Sequence, residues 1–490
     1  MDLITILLSV ILGVWLLYIS FGRSKNIYHN FPPGPRPLPL IGNLLHVNIK
    51  KPYKSMLELS EKYGSVYTIH LGTEKIVVLC GYETVKDALV NHADDFSGRP
   101  KVPLFDHMCQ GHGILFSRDY NWKVMRRFTL STLRDYGMGR RVLEDKINEE
   151  CDYLVERLRS YKGKPFDNVK ILTSAVANII LSITLGQRYD YEDPTILRLT
   201  HLVRENTHLA GHPMGVLYNT FPNLMFWVPG RHQDFFKNVA EVIRFITETC
   251  RTQKKRLDVN NPTSLIETFL AKQEEENSNQ ESYFHDENLK FLVADLLGAG
   301  METTTTTLQW ALLIMMKYPE IQKNVQNEIE KVIGIAQPQS EHRKQMPYTD
   351  AVLHEVQRFG DIVPSNLPHL TTRDAEFRGY FLPKGTHVIP LLTSVLKDKS
   401  RFEKPDEFYP QHFLDVKGNF VKNEAFLPFS AGRRSCAGEN LAKMELFLFF
   451  TRLLQNFTFK PPAGDKLDLT PEIGFTSTPK PYETCALPRH

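Results

Sequence analysis

FSAGRRSCAGENLAKMELFLFF, residues 429–450, sets one cysteine between two glycines, behind two arginines and at the mouth of an apolar helical run. As a spacing it reads F-x-x-G-x-R-x-C-x-G, filled by Phe429, Gly432, Arg434, Cys436 and Gly438. The two glycines let backbone approach a flat ligand and turn sharply into the helix. Amides at the start of that helix point at the sulfur and favour thiolate over thiol. A lone cysteine is ordinarily a small buried apolar residue. An anionic sulfur beside an arginine, beneath a planar group bearing carboxylates, is instead how a protein holds haem iron by thiolate. The ten-residue spacing is far rarer than the cysteine and favours the second reading.

The totals fit a large globular chain of 490 residues, 42% apolar and 23% charged. Lys and Arg number 59 against 56 Asp and Glu, a net charge of +3, too small for nucleic-acid binding by bulk electrostatics. Cysteines stand at 80, 109, 151, 250, 436 and 485 with no C-x-x-C pair, so neither a disulfide scaffold nor a zinc site is indicated. A reducing compartment fits.

Leu3 to Phe21 is nearly all apolar and is followed by Arg23 and Lys25. As a helix it would span about 28 Å, close to a bilayer core. Asp2 in place of a basic start, and the missing small-residue cleavage pattern, argue for an uncleaved anchor over a signal peptide. The basic residues after it keep the rest of the chain cytosolic. Phe31 to Leu45, FPPGPRPLPLIGNLL, is too proline-rich for a helix and reads as a stiff strap packed on the body, or as a proline-rich ligand for a partner domain. The expected organisation is an anchor at 1–25, a strap at 26–49 and one haem-binding catalytic domain at 50–490.

That domain reads as mainly α with small β-sheets. Val66–Leu79 predicts a hairpin around Gly72-Thr73-Glu74-Lys75, and Tyr380–Leu392 a second turning at Pro383-Lys384-Gly385. A helix of about 45 Å is expected from Asn288 to Lys317, after a solvated loop at Lys272–Ser282. Gly215–Gly230, aromatic but broken by prolines, is core or a stretch that dips into a membrane surface. Within the long helix, Ala299-Gly300 interrupts a good helical pattern, and the Thr303 hydroxyl can reach the Ala299 carbonyl and open a notch. Thr303 with Glu302 would there hold dioxygen and relay protons.

With these elements the sequence resembles a cytochrome P450 of the microsomal family-2 group, from anchor and strap to the C-terminus. The resemblance implies the cytochrome P450 fold behind an N-terminal transmembrane helix. It implies a membrane-bound haem-thiolate monooxygenase that puts one oxygen atom from O2 into lipophilic substrates such as xenobiotics or fatty acids. Haem b is the implied cofactor and Cys436 its metal ligand. The chain carries no flavin or nicotinamide fingerprint, so electrons from NADPH must arrive through cytochrome P450 reductase, with cytochrome b5 as a second donor. Endoplasmic reticulum is the implied location.

Residue by residue, the resemblance assigns Thr303 and Glu302 to catalysis. It places Arg99, Trp122, Arg126, Ala299, His369, Phe429, Arg434, Cys436 and Gly438 around haem, the cations on its propionates. Leu115, Phe116, Met301, Ile362, Val363 and Phe475 would wall the substrate pocket, under a lid between His201 and Pro229 in which Arg204 or His208 would meet any carboxylate. Met301 stands where the family usually has threonine. Glu355, Arg358 and His412 would form a buried supporting network, His412 replacing the common arginine. Lys123, Arg127, Arg134, Arg140, Arg141 and Lys443 would form the basic face for an acidic reductase. Two other readings use the same scaffold: a haem-thiolate isomerase or dehydratase, and a non-enzymatic membrane haem or lipid carrier. The intact Thr303 argues against the first. The sequon Asn456-Phe457-Thr458 should stay unmodified in a cytosolic body.

Overall fold

The structure, a computed structural model, describes residues 5, 7–9, 11–13 and 30–489. The expected anchor lies almost entirely outside the described residues. Among those described, no helix is long and apolar enough to cross a membrane.

Helices carry most of the body and small sheets sit at its edge. Eight helices position the site: α1 (Pro103–Cys109), α2 (Asp119–Asp135), α3 (Asn168–Thr184), α4 (Pro194–Gly211), α5 (Arg231–Lys254), α6 (Asp286–Lys317), α7 (Pro347–Gly360) and α8 (Glu439–Asn456). The long helix α6 begins where His285 accepts a hydrogen bond from the Asn288 amide at 3.4 Å, with Asp286 and Glu287 in its first turn. It stops ahead of Pro319, whose ring cannot continue it. The expected interruption at Ala299-Gly300 is absent, and α6 runs straight through. Gly300 serves packing instead: a side chain there would begin 2.6 Å from Ile180 of α3. α3 and α6 are buried along most of their length and form the spine of the main core. The charged run expected as a loop from Lys272 is helical as far as Glu275 and turns only afterwards.

The main sheet pairs β1 (Val66–Leu71) with β2 (Glu74–Leu79) as an antiparallel hairpin, Val66 opposite Leu79. The second predicted hairpin does not form. Tyr380–Leu382 folds back on Ala375–Phe377 around Arg378 and Gly379, both left-handed at φ 50° and 80°. The chain then leaves through Gly385, whose amide donates to Thr371 O at 2.9 Å, and β4 (His387–Pro390) runs parallel to β2. β3 (His369–Leu370) pairs on the other side of β4. The physical reason is the open edge of β2: Val388 fills it fully buried, where a local hairpin would leave that edge bare. The strap lies along β1, with the Thr68 amide donating to Pro33 O at 2.7 Å and its hydroxyl to Pro32 O at 2.9 Å. β5 (Pro471–Ile473) and β6 (Ser477–Pro479) form a short hairpin whose tip rests on α4.

Candidate active site

The cysteine loop is built by backbone. Cys436 N–H donates to Phe429 O at 3.0 Å, closing the turn ahead of α8. Gly432 has φ +74°, and a Cβ there would fall 1.7 Å from Leu89 O, so the spacing needs glycine. A Cβ at Gly438 would find nothing closer than Cys436 Sγ at 3.9 Å, so the space beside the sulfur is open. Cys436 is enclosed by protein yet touches accessible space. Both hold because that space is internal. Ala299 is likewise accessible, although Leu297 and Met301 on either side of it are fully buried. Accessible surface inside densely packed surroundings marks an internal cleft between α6 and the cysteine loop.

The helix-start amide acts on the sulfur in the expected direction but does not set the balance. The Gly438 amide and the Arg126 charge do pull the thiol down, but burial outweighs them and pushes it up. A bound metal ion would supply the ionisation, because it deprotonates a coordinating thiol outright.

Around the cleft the structure gathers Arg99, Arg126 and Arg434, none of which forms a salt bridge among the described residues, although the Asp119 charge acts on Arg434. Arg99, 4% exposed, donates only to the carbonyls of Leu115, Leu367 and Pro368. Arg434 donates to Ser97 O at 2.7 Å and Ser117 O at 3.0 Å, with its guanidinium 3.8 Å over the Trp122 ring. Arg126 reaches Ser435 O at 2.8 Å. Burial, with the Arg126 charge, pushes Arg99 down to about 9, and burial, with Arg99 and Arg126 against a smaller pull from Asp119, pushes Arg434 down to about 8. Guanidinium does not deprotonate in proteins, so charges buried this close together call for an anion beside them. His369 is buried, its Nδ1 against Phe96 O at 2.6 Å and its Nε2 without a partner, and burial with Arg99 holds it neutral. A planar group with two carboxylates, seated over Cys436, meets each of these demands. Haem fits the residues present.

On α6, the Thr303 hydroxyl donates to Ala299 O at 2.7 Å, as its spacing suggested. Glu302 is buried and accepts from Thr306 at 3.4 Å. Burial raises it to about 7, while the Arg204 charge on α4 and the hydroxyls of Thr306 and Thr476 pull it down. Met301 is the misplaced residue: it is fully buried in the main core and not on the cleft. Two residues beyond Ala299 turns a helix about 200°, so the two positions point opposite ways. The other wall residues come from separate segments: Leu115 and Phe116 from the loop before α2, Ile362 and Val363 after α7, Phe475 at the β5–β6 tip. Phe116 is buried and the other four are half-buried.

Sequence reasoning missed two residues here. Asp295, enclosed on α6, accepts from the amides of Ile114 and Leu115 at 2.8 and 2.9 Å and so holds that loop. Its signal was a lone acid in an apolar helix; burial raises it to about 6. Phe105 of α1 stacks on Phe116 with ring centres 4.4 Å apart and stands 5.8 Å from Phe475. Its sequence neighbours held no such signal.

The supporting network is assembled as the resemblance implied. Arg358 and Glu355 are fully buried and joined by two bonds of 2.7 Å. Arg358 also donates to the carbonyls of Leu396, Pro405 and Glu407. His412 accepts from the Lys404 amide through Nε2, which leaves Nδ1–H to donate to Glu355 at 3.1 Å. On α2, Trp122 and Arg126 face inward, while Lys123, Arg127 and Arg134 are exposed on the adjoining stripe, beside exposed Arg140 and Arg141. Lys443 differs from these, held by Glu439 at 2.5 Å.

The comparisons with known proteins agree with this geometry. The family model for Cytochrome P450 matches residues 32–486. The chain is 50% identical over 489 residues to Cytochrome P450 2K1 of Oncorhynchus mykiss, covering 99% of this chain and 97% of that one. It is 46% identical to Cytochrome P450 2F3 of Capra hircus over 99% of both chains. Against Cytochrome P450 2C11 of Rattus norvegicus it is 47% identical over 100% of this chain and 98% of that one. The chain therefore belongs to the cytochrome P450 family, monooxygenases that work with haem b, O2 and electrons from NADPH passed through a reductase.

Proposed function

We propose that this protein is an endoplasmic-reticulum monooxygenase, anchored by residues 1–25 and strapped by 26–49, whose domain at 50–490 oxidises lipophilic small molecules. The observation that carries the reading is the internal cleft at Cys436, ringed by the buried guanidiniums of Arg99 and Arg434 and half-buried Arg126, which form no salt bridge among the described residues. Haem bound there would supply the oxidising chemistry, in which O2 with two electrons and two protons yields one oxygen atom in the substrate and one in water.

The chain's own residues do the rest. Cys436 ligates the iron, while Arg99, Arg126, Arg434, His369 and Trp122 hold the carboxylate edge, and Phe429 and Gly438 border the sulfur. Leu115, Phe116, Ile362, Val363 and Phe475 exclude water and orient an apolar substrate over Ala299. Glu302, raised to about 7, sits where a carboxyl can both give and take a proton near neutral pH. Thr303 gives up its bond to Ala299 O to pass that proton on. Glu355, Arg358 and His412 hold the loops beneath. Lys123, Arg127, Arg134, Arg140 and Arg141 receive an acidic reductase or cytochrome b5, with Lys443 contributing less because Glu439 already engages it. Leu224, Phe226 and Trp227, at 65%, 48% and 79% exposure, dip into the membrane surface beside the lid.

The test is the difference spectrum of the full-length protein, reduced and exposed to carbon monoxide. A strongly red-shifted Soret band supports thiolate ligation by Cys436. An unshifted haem band would reassign the axial ligand, and absence of haem would favour the carrier.

A further inference from the structure

We propose that Gly211, the last residue of α4, is a specificity-determining residue. Its missing side chain lets the β5–β6 tip lie directly on the lid helix, and that contact fixes how far Phe475 reaches over the substrate space. The proposal deepens the reading above and rests on Phe475 being a pocket wall.

The contact is backbone on backbone. A Cβ at Gly211 would lie 1.9 Å from Gly474 C and 2.2 Å from Phe475 N, where ordinary contact begins near 3.4 Å. The Phe475 amide donates into α4, to Thr207 O at 3.1 Å, and the Gly474 amide closes the tip onto Thr476 O at 2.9 Å. Conformation does not explain the glycine. Gly211 is not among the left-handed residues, so it is no helix-ending αL cap. What demands glycine is the neighbouring chain. The requirement is also one-sided: a Cβ at Gly474 would meet Thr207 O at 3.3 Å and His208 Cα at 3.4 Å, tight but near contact distance.

The far arm of the hairpin is pinned, which turns the contact into a ruler. Ser477 N–H donates to Ile362 O at 2.9 Å, and Trp310 Nε1–H donates to Ser477 O at 3.0 Å. A methyl group at position 211 must therefore lift the lid or tilt the tip. Either movement displaces Phe475 relative to Phe105, 5.8 Å away, which stacks on Phe116 at 4.4 Å and meets Phe235 of α5 edge-on at 5.5 Å. Four rings from four segments roof the space, and the tip sets the one that is not on a helix or buried loop. With glycine at 211 the roof is low and favours slender ligands, a single chain or single ring, over branched ones.

The experiment is optical titration of the haem-loaded full-length protein with 4-phenylimidazole as the slender probe and clotrimazole as the bulky one. Gly211→Ala should shift the ratio of the two dissociation constants about tenfold toward the bulky probe, the scale of one methylene in an apolar pocket. Gly474→Ala should shift it less, in the same direction. In a Phe475→Ala background Gly211→Ala should add nothing, because its effect passes through that ring. An unchanged ratio, or an equal shift with and without Phe475, overturns the proposal. If Gly211→Ala yields no haemoprotein, Gly474→Ala alone and with Phe475→Ala decides by the same criteria. Failure of the wild type to give the red-shifted carbon monoxide band would count against the haem-thiolate reading, separately from the probe ratio.

Discussion

At the residue scale, the site separates groups that must be charged from groups the fold keeps neutral. Cys436→Ser should abolish the red-shifted carbon monoxide band while haem remains bound, checked by comparing the difference spectrum with total haem. Thr303→Ala should leave substrate-induced spectral shifts unchanged but cut product formed per NADPH at least tenfold, with the electrons recovered as peroxide. Glu445 makes a quieter prediction. It is 1% exposed on α8, accepts from Thr304 of α6 at 3.1 Å, and has a second oxygen without a partner. Burial raises it to about 8 from an ordinary 4.5, so the fold stabilises its neutral form. That contribution is whole below about pH 4.5 and is lost as pH rises through about 8. Glu445→Gln, neutral throughout, should flatten the fall of stability across that window. Thermal unfolding at about pH 5 and about pH 8.5 tests it, and parallel slopes for both proteins would contradict it.

At the element scale, the site depends on links between segments far apart in sequence. Asp295 ties α6 to the loop at Ile114 and Leu115, and Arg434 ties the cysteine loop to Ser97 and Ser117. Arg358 gathers three carbonyls and Glu355 in one wholly buried knot. Removing one partner of such a pair strands a buried charge, so Arg358→Ala should cost about 3–5 kcal/mol. Denaturant unfolding and haem content after expression measure it, and near-wild-type values in both would show the knot to be dispensable. Glu355 and Arg358 were recognisable at a spacing of three. Spacing alone, however, equally describes an exposed pair worth a few tenths of a kcal/mol, and only the packed segment around His412 makes this one buried.

At the scale of the whole molecule, the net charge of +3 hides an uneven surface. Lys123, Arg127 and Arg134 recur along the outer stripe of α2, next to the helix face that carries Trp122 and Arg126 inward. Reversing all three to glutamate should raise the reductase concentration for half-maximal turnover about tenfold at low salt. The difference should shrink as ionic strength screens the encounter. Peroxide-supported turnover, which bypasses the reductase, should not change. Loss of both activities together would mean that the substitutions damaged the fold.

The sequence by itself determined the cysteine loop, the Thr303 back-bond and the β1–β2 hairpin, while Trp122 and Arg126 were assigned by resemblance. Each is local: a glycine that only one backbone path allows, a helical spacing of four, a two-residue turn. Tertiary structure decided what local rules leave open. Tyr380–Leu382 had two possible partners, and the bare edge of β2 claimed the strand that follows it. Met301 passed for a wall residue until the neighbours of α6 showed which face meets α3. Gly211 is an ordinary residue in the sequence, and only the arrival of Gly474, from 263 positions away, gives its missing side chain a consequence. The thiol, too, was judged from its own helix, whereas the atoms that bury it come from the rest of the chain. Periodicity and turn chemistry act over a few residues, while burial and close contact are properties of whatever the whole chain brings alongside.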